Sequence, residues 1–305
     1  MEHLCLVVPT KDRPDDLRRM LASLADQTRL PDHVVVVDGS DPPIERVLDE
    51  FPGLSLEYVR VFPPSLAAQR NAGMARLRAE TTLAGYLDDD VVLEPDAIAN
   101  MMQFWATADS DIGGAAFHIV NNPAPRQIRI KQFFGIDGLP AGRILSSGFP
   151  TTICNITSDS QTDWLYGGAT VWRRKVIEEY PYDEWFIGTG FMEDVDYSFC
   201  VRSRYRLYVI ENARLAHYSR PVRPDRQHLL GIWQVVNRMY FVRKHSNRGL
   251  SIYAATWASV GLILLSMGFA LIKRDKSYFN RAMGNISGLT AVLFNKTRQL
   301  GGHLK

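Results

Sequence analysis

The chain has 305 residues, of which 46% are hydrophobic and 22% charged. That length suits one large α/β domain with an appendage, and that composition excludes a disordered or collagen-like chain. The formal charge of +2 hides an asymmetry: residues 201–305 hold 18 Lys/Arg against 3 Asp/Glu, and residues 1–200 hold 17 against 30. An acidic front half suits divalent cations, and a basic rear half suits nucleic acid or phospholipid.

In chain order, Leu4–Val8 reads as a strand and Pro14–Gln27 as a helix, with Leu17, Met20, Leu21 and Leu24 on one stripe. Val34–Val37 is wholly apolar, as in a parallel strand buried on both faces. Ile44–Phe51 predicts a short helix and Leu56–Val61 a third strand. Ser65 is placed to cap a helix running to about Arg78. Thr82–Leu87 is a fourth strand, Pro95–Ala108 the helix after it, and Ile112–Val120 another strand. Alternation at this spacing implies βαβ units and a doubly wound, mostly parallel sheet.

Residues 121–160 are rich in Pro, Gly, Asn and Ser and read as an inserted loop region. A strand is expected after Gly167-Gly168, then a helix near Arg174–Glu179, a second from near Glu193, and a strand at Leu207–Ile210. The three cysteines, Cys5, Cys154 and Cys200, form no CxxC or Cys/His cluster, so reduced thiols in a cytosolic protein are expected. The opening Met1-Glu2-His3 is acidic and precedes only a strand-length apolar run, so no secretory signal is expected.

Ile252–Ile272 is uncharged and long enough to cross a bilayer. A core helix of that length would usually carry a polar stripe, so membrane contact is expected, as a transmembrane or re-entrant helix. Arg243, Lys244 and Arg248 precede it and Lys273, Arg274 and Lys276 follow. A helix with both ends cytoplasmic fits that charge pattern better than a single crossing. The last 30 residues are weakly amphipathic and suit a membrane surface. The basic residues 202–248 are interleaved with aromatics, but the apolar stretch makes anionic lipid, not nucleic acid, the expected partner.

The strongest chemical signal is Asp88-Asp89-Asp90 at the carboxyl end of an apolar strand, where open α/β sheets bind ligands. Three carboxylates there repel one another unless a cation offsets them, and hard oxygens suit Mg²⁺ or Mn²⁺. A solvated acidic turn is the plain alternative. Glu193-Asp194-Val195-Asp196 follows Gly188 and Gly190 and offers a catalytic base. Acids in a first helical turn also simply favour the dipole. His217 is a candidate metal ligand, although a lone His is usually structural. Arg70, within Gln69-Arg70-Asn71-Ala72-Gly73, is suited to pair with a diphosphate, or else belongs to an exposed helix face. Pro9-Thr10-Lys11-Asp12-Arg13 and Asp38-Gly39-Ser40-Asp41 sit at two further strand ends, where a nucleotide belongs.

Together these motifs resemble glycosyltransferase family 2, the GT-A fold, over roughly residues 4–220. The segment Asn237–Phe241 with Arg243-Lys244-His245, followed by the apolar helix, is similar to membrane-associated members that build bacterial surface polysaccharides. The resemblance implies a GT-A domain over 1–225, with a nucleotide-binding half (1–120) and an acceptor and sugar half (121–225). A membrane-associating helical region would occupy 226–305.

It also implies roles. Pro9, Thr10, Arg13, Asp38, Arg70, Asp88 and Asp89 would contact the nucleotide sugar. Asp90 and His217 would hold Mg²⁺ or Mn²⁺. Asp194 would be the general base beside Glu193, and Trp164, Gly167 and Gly168 would line the acceptor and sugar pocket. The implied activity is inverting transfer from a UDP- or dTDP-sugar to a hydroxyl of a polyprenyl-linked or oligosaccharide acceptor, at the cytoplasmic face of the bacterial inner membrane. Two other readings compete. Asp88-x-Asp90 also fits an aspartyl-phosphate phosphatase, but three strands precede it where that motif usually follows the first. A non-catalytic membrane scaffold could keep the same fold.

Overall fold

The computed structural model describes residues 2–122, 129–186, 188 and 190–296. Parts of the 121–160 insertion (123–128) and of the last 30 residues (297–305) therefore lie outside the described residues. The chain divides into two compact units, one of residues 1–124 with 153–219, the other of 125–152 with 220–305. The segment 125–152, placed by the resemblance in the acceptor half, thus groups with the tail.

In the first unit, β1 (Leu4–Thr10), α1 (Pro14–Ala25), β2 (His33–Asp38), a 3₁₀ turn (Glu45–Glu50), β3 (Leu56–Arg60), α2 (Leu66–Met74) and β4 (Leu83–Leu87) follow one another. After them come β5 (Val91–Leu93), α3 (Ala97–Thr107) and β6 (Ile112–Ile119). Helix α4 (Arg129–Phe133) belongs to the second unit. The first resumes with β7 (Ser160–Thr162), β8 (Ala169–Arg173), α5 (Arg174–Glu179), α6 (Glu193–Val201) and β9 (Arg206–His217).

Among the described residues the strands form one sheet, in the order β3-β2-β1-β4-β8-β6-β9-β5, with β7 beside β9. The β3-β2-β1-β4 block is parallel, β8 runs antiparallel to both its neighbours, and β6 pairs β9 in parallel. Strands β1, β2 and β4 are buried along their whole length, as their unbroken apolar runs require. One core layer packs Leu17, Met20, Leu24 and Trp105 against the sheet, and the other packs Trp172, Tyr197 and Val201. Because β1, β2 and β4 are parallel neighbours, their carboxyl ends deliver Thr10, Asp38 and Asp88 to one edge.

Two elements depart from expectation. Helix α2 stops at Met74, and the Ser65 hydroxyl makes no cap bond and has no hydrogen-bond partner. Strand β9 runs for 12 residues, with His217 as its last member. Its polar members hid it, since Glu211, Asn212 and Arg214 interrupt the apolar run. The register also jumps between the pairs Phe117↔Ile210 and His118↔Arg214, a bulge that breaks the alternation.

In the second unit, α7 (Gln227–Lys244), α8 (Ile252–Lys273) and α9 (Lys276–Leu293) pack together. Ser251 caps α8 by accepting from the Ala254 N–H, and Asp275 caps α9 by accepting from the Ser277 N–H. Gly231 lets the backbones of α7 and α9 meet: an added Cβ would press on the α9 backbone at Arg281, Gly284 and Asn285. Buried Asn285 then donates to the Gly231 carbonyl at 2.9 Å. The insertion packs on the same helices, with Phe134 against Gly261.

Candidate active site

The carboxyl ends of β1 and β4 are tied together by side chains. The Thr10 hydroxyl donates to Asp89 Oδ2 at 2.8 Å. Arg13 spans the two acids beyond β4, reaching Asp89 Oδ1 at 3.2 Å and Asp90 Oδ2 at 2.9 Å. Burial, only partly offset by Arg13 and Thr10, pushes the Asp89 carboxyl up to about 7. Asp89 is thus an internal brace, 4% exposed, and not a free ligand-facing carboxylate. Pro9 is buried within β1, paired with Val37.

Asp38 is likewise fully buried. Its Oδ1 accepts from the Ser40 N–H at 2.7 Å, and its Oδ2 from the Ile44 N–H at 2.9 Å and the Tyr58 hydroxyl at 2.7 Å. Burial alone would raise its pKa, but these donors outweigh it and hold the group below the usual carboxylate range. Asp38 therefore shapes the 38–44 loop. Gln69, quoted in the sequence motif but given no role, clamps the same two strand ends by donating to the Thr10 and Val37 carbonyls at 2.9 and 2.8 Å.

Asp88, Asp90 and His217 meet at the sheet edge. The antiparallel pairing of β5 with β9 sets His217 opposite Val91, one residue beyond Asp90. His217 Nε2 lies 3.0 Å from Asp90 Oδ1. One ligand atom from each of Asp88, Asp90 and His217 falls within 4.8 Å of the others. Burial raises the Asp90 carboxyl, but the bond to His217 and the charge of Arg13 overcome it, and the net shift is downward. The same bond raises the His217 imidazole.

A second cluster adjoins the first through Asp88. Arg70 is 1% exposed and buried on α2, not on an open helix face. Its Nη1 donates to Glu193 Oε1 at 2.6 Å and its Nη2 to Asp88 Oδ1 at 3.3 Å. The guanidinium also sits 5.0 Å from the Tyr182 ring centroid. Asp194 Oδ2 accepts from the Gly167 N–H at 3.2 Å and Oδ1 from the Val195 N–H at 2.8 Å. Burial raises the Asp194 carboxyl, and Arg70 with the two N–H donors only partly offsets that.

The backbone before α6 explains why both acids turn inward. Gly190 has φ +69°, and Met192 is left-handed at φ 79°. A non-glycine residue in that region costs roughly 1–3 kcal/mol and persists where its surroundings enforce it. The pair of bends starts α6 at Glu193, with Glu193 on Arg70 and Asp194 on Gly167.

The two glycines are spatial necessities. A Cβ on Gly167 would come within 2.7 Å of Arg70 Nη1 and 2.8 Å of the Asp194 Cβ. A Cβ on Gly168 would land on the Asp88 carboxyl group. Gly168→Ala is therefore expected to displace Asp88 and lower kcat/KM for a nucleotide sugar about 10²-fold, the scale of a 1 Å misplacement. Thermal unfolding measured alongside should move little, since the alanine displaces a half-exposed carboxylate and not a core side chain.

Trp164 is buried, with its ring 5.3 Å from Tyr166, and Tyr166 in turn stands edge-on to His217 at 6.2 Å. Tyr166 was passed over in the sequence. Its position in Trp164-Leu165-Tyr166-Gly167-Gly168 is the signal that could have found it.

Asp88 and Asp90 thus converge with the His217 imidazole, and two hard carboxylate donors with an imidazole fit a divalent cation.

Comparison with known proteins agrees. The chain is 32% identical over 131 residues to the succinoglycan biosynthesis protein ExoW of Rhizobium meliloti (strain 1021), a stretch covering 39% of this chain and only 40% of ExoW. Mannosyltransferase PcManGT from Pyrobaculum calidifontis, solved with GDP-Man and Mn²⁺, superposes with a TM-score of 0.59 at 17% identity, over 96% of this chain and 88% of its own. S. aureus TarS 1–349, solved with UDP-GlcNAc, gives a TM-score of 0.50 at 13% identity, over 95% of this chain and 92% of its own. These two share the GT-A fold. The sequence matches the Glycosyl transferase family 2 description over residues 5–181, more than half its length, and the chain belongs to that family.

Proposed function

We propose that the protein is an inverting glycosyltransferase that moves a sugar from a UDP- or dTDP-sugar to a hydroxyl of a lipid-linked or polysaccharide acceptor, at the cytoplasmic face of a membrane. The observation that carries this reading is the junction of two clusters at Asp88, a cation-binding set with His217 and a buried acid pair on α6. The nucleotide sugars bound to PcManGT and TarS, and the polysaccharide role of ExoW, support the donor class and the pathway type.

Asp88, Asp90 and His217 would hold Mg²⁺ or Mn²⁺. The bound cation would supply Lewis-acid stabilisation of charge on the departing diphosphate. The remaining chemistry falls to the chain. Asp194 accepts the proton of the acceptor hydroxyl as that oxygen forms its bond to the anomeric carbon. The anomeric carbon–phosphate oxygen bond breaks on the opposite face, and the nucleoside diphosphate leaves. Asp194's raised pKa suits it to that proton. Arg70 holds Glu193 and Asp88 in place, and Tyr166, packed on the buried Trp164, offers aromatic surface to a sugar ring.

The test is a panel of nucleotide sugars with purified protein and divalent cation, followed by NMR assignment of the product anomer. One donor is expected to bind in a chelator-sensitive way and to yield a product of inverted configuration. A retained anomeric configuration would overturn the single-displacement reading.

A further inference from the structure

Helix α7 of the second unit buries large apolar side chains such as Ile232, Met239 and Phe241, but α8 and α9 are built the opposite way round from a soluble helical bundle. The side chains that α8 buries are small: Ala255, Ala258, Ser259, Gly261 and Ser266. Those it exposes are large and apolar: Tyr253, Trp257, Leu264 and Leu271, at 89%, 45%, 55% and 78%. Their spacing of 4, 7 and 7 residues keeps them on one stripe. Helix α9 repeats the inversion. Apart from Val292 it buries Ala282, Gly284, Asn285, Gly288 and Ala291, and it exposes Phe279, Met283, Ile286 and Leu293. Small residues inside and large apolar ones outside is the arrangement of helices whose surroundings are as apolar as their side chains.

Four hydroxyls on these helices fit the same surroundings. The hydroxyls of Thr256, Ser259, Ser287 and Thr290 each donate to the carbonyl four residues back, at 2.8–2.9 Å. No solvent is needed to satisfy them. Helix α4 adds to the surface: Ile130 and Phe133 are 49% and 67% exposed, and the Phe133 ring lies 5.4 Å from that of Trp257.

Cations mark each end of the pair. Arg243, Lys244 and Arg248 precede α8, Lys273, Arg274 and Lys276 surround the turn into α9, and Lys296 follows α9. A helix crossing the bilayer would carry one cluster to the far side, against the positive-inside rule. With all three ends at headgroup level, neither helix has a deep end.

From these observations we propose that α8 and α9 lie side by side in the plane of one anionic leaflet, seating the second unit as a monotopic membrane anchor whose lipid-facing surface includes Ile130 and Phe133. This deepens the membrane part of the proposed function and concerns a different surface from the acid clusters. The geometry commits to lipid because the rim is basic and the face is apolar, which a phospholipid leaflet complements in both respects.

Depth measurement tests it. Cysteine is introduced singly at Trp257, Leu264 and Leu271 in the full chain with Cys154→Ser and Cys200→Ser. Each variant is labelled with an environment-sensitive fluorophore and bound to vesicles containing phosphatidylglycerol. Nitroxide-labelled lipids then report depth. The three sites are expected at one shallow level, about 5–10 Å below the headgroups. Leu264 lying clearly deeper than the other two would mean a crossing or re-entrant helix and overturn the proposal. Absence of lipid quenching, with the protein sedimenting as a dimer, would assign the face to a second copy and overturn it equally. Metal-dependent donor binding, measured on the same labelled proteins, reads the catalytic assignment separately, so failure of either is visible without the other.

Discussion

Asp194→Asn is expected to lower turnover about 10²–10⁴-fold, the contribution of a positioned general base, while nucleotide-sugar affinity stays close to that of the unaltered protein. The side chain keeps its shape, and the amide oxygen can still accept one of the two backbone N–H bonds, from Gly167 or from Val195. What it loses is the ability to take a proton. Glu193 cannot substitute, because it is committed to Arg70 at 2.6 Å. The pH profile separates a lost base from a misplaced one. A base works only when deprotonated, so activity rises as pH climbs through its pKa. Burial holds Asp194 above the ordinary carboxylate range, so the acid limb of the kcat profile should lie above that of a solvent-exposed aspartate. In Asp194→Asn that limb should vanish. An unchanged limb, or turnover near the original, would move the base to another residue.

The legible part of this chain was the part where local chemistry and global position agree. Unbroken apolar runs at β1, β2 and β4 announced a buried parallel sheet, and acids at a strand's carboxyl end announced a ligand edge. Asp88 lies between Asp90 with His217 on one side and Arg70 with Glu193 on the other. Asp38 and Asp89 show what sequence could not convey. Their identity is visible in the sequence, but whether a carboxylate faces a ligand or a neighbour depends on partners far along the chain, such as Tyr58 for Asp38 and Thr10 for Asp89. His217 was named from the sequence, but the strand that carries it was hidden. A bulge in β9 broke the alternation that would have extended the strand to it. The tail's inversion was legible only as missing charge, because which face of α8 is buried depends on α7 and α9. The phosphatase reading loses its footing in the topology: Asp88 follows the fourth strand of a family 2 domain and is engaged by Arg70.

Asp90→Ala tests the cation site, and its expected effect is loss of metal affinity by more than about 10²-fold, since removing even an outer-shell partner typically costs 10–100-fold. Asp90 is the group that binds the cluster together. It holds His217 through Oδ1 and Arg13 through Oδ2, and the net effect of those contacts keeps it ionised despite burial. Its removal frees the imidazole to rotate and leaves Arg13 with Asp89 alone. Mn²⁺ titration followed by electron paramagnetic resonance reads the affinity without reference to turnover. Donor affinity of the variant should equal that of chelator-treated unaltered protein, and chelator should have no further effect on it. The pH dependence gives an independent sign. His217 titrates above its ordinary range because of its bond to Asp90. A protonated imidazole cannot ligate, so Mn²⁺ affinity should weaken as pH falls through that raised value. In His217→Ala the weakening should shift to the lower pH at which Asp90, held below its ordinary value, takes up a proton. If Asp90→Ala keeps full Mn²⁺ affinity, the cation is held elsewhere. Asp88 would then be left serving Arg70 alone, and a cation would no longer explain why Asp88 and Asp90 converge on His217 at the sheet edge.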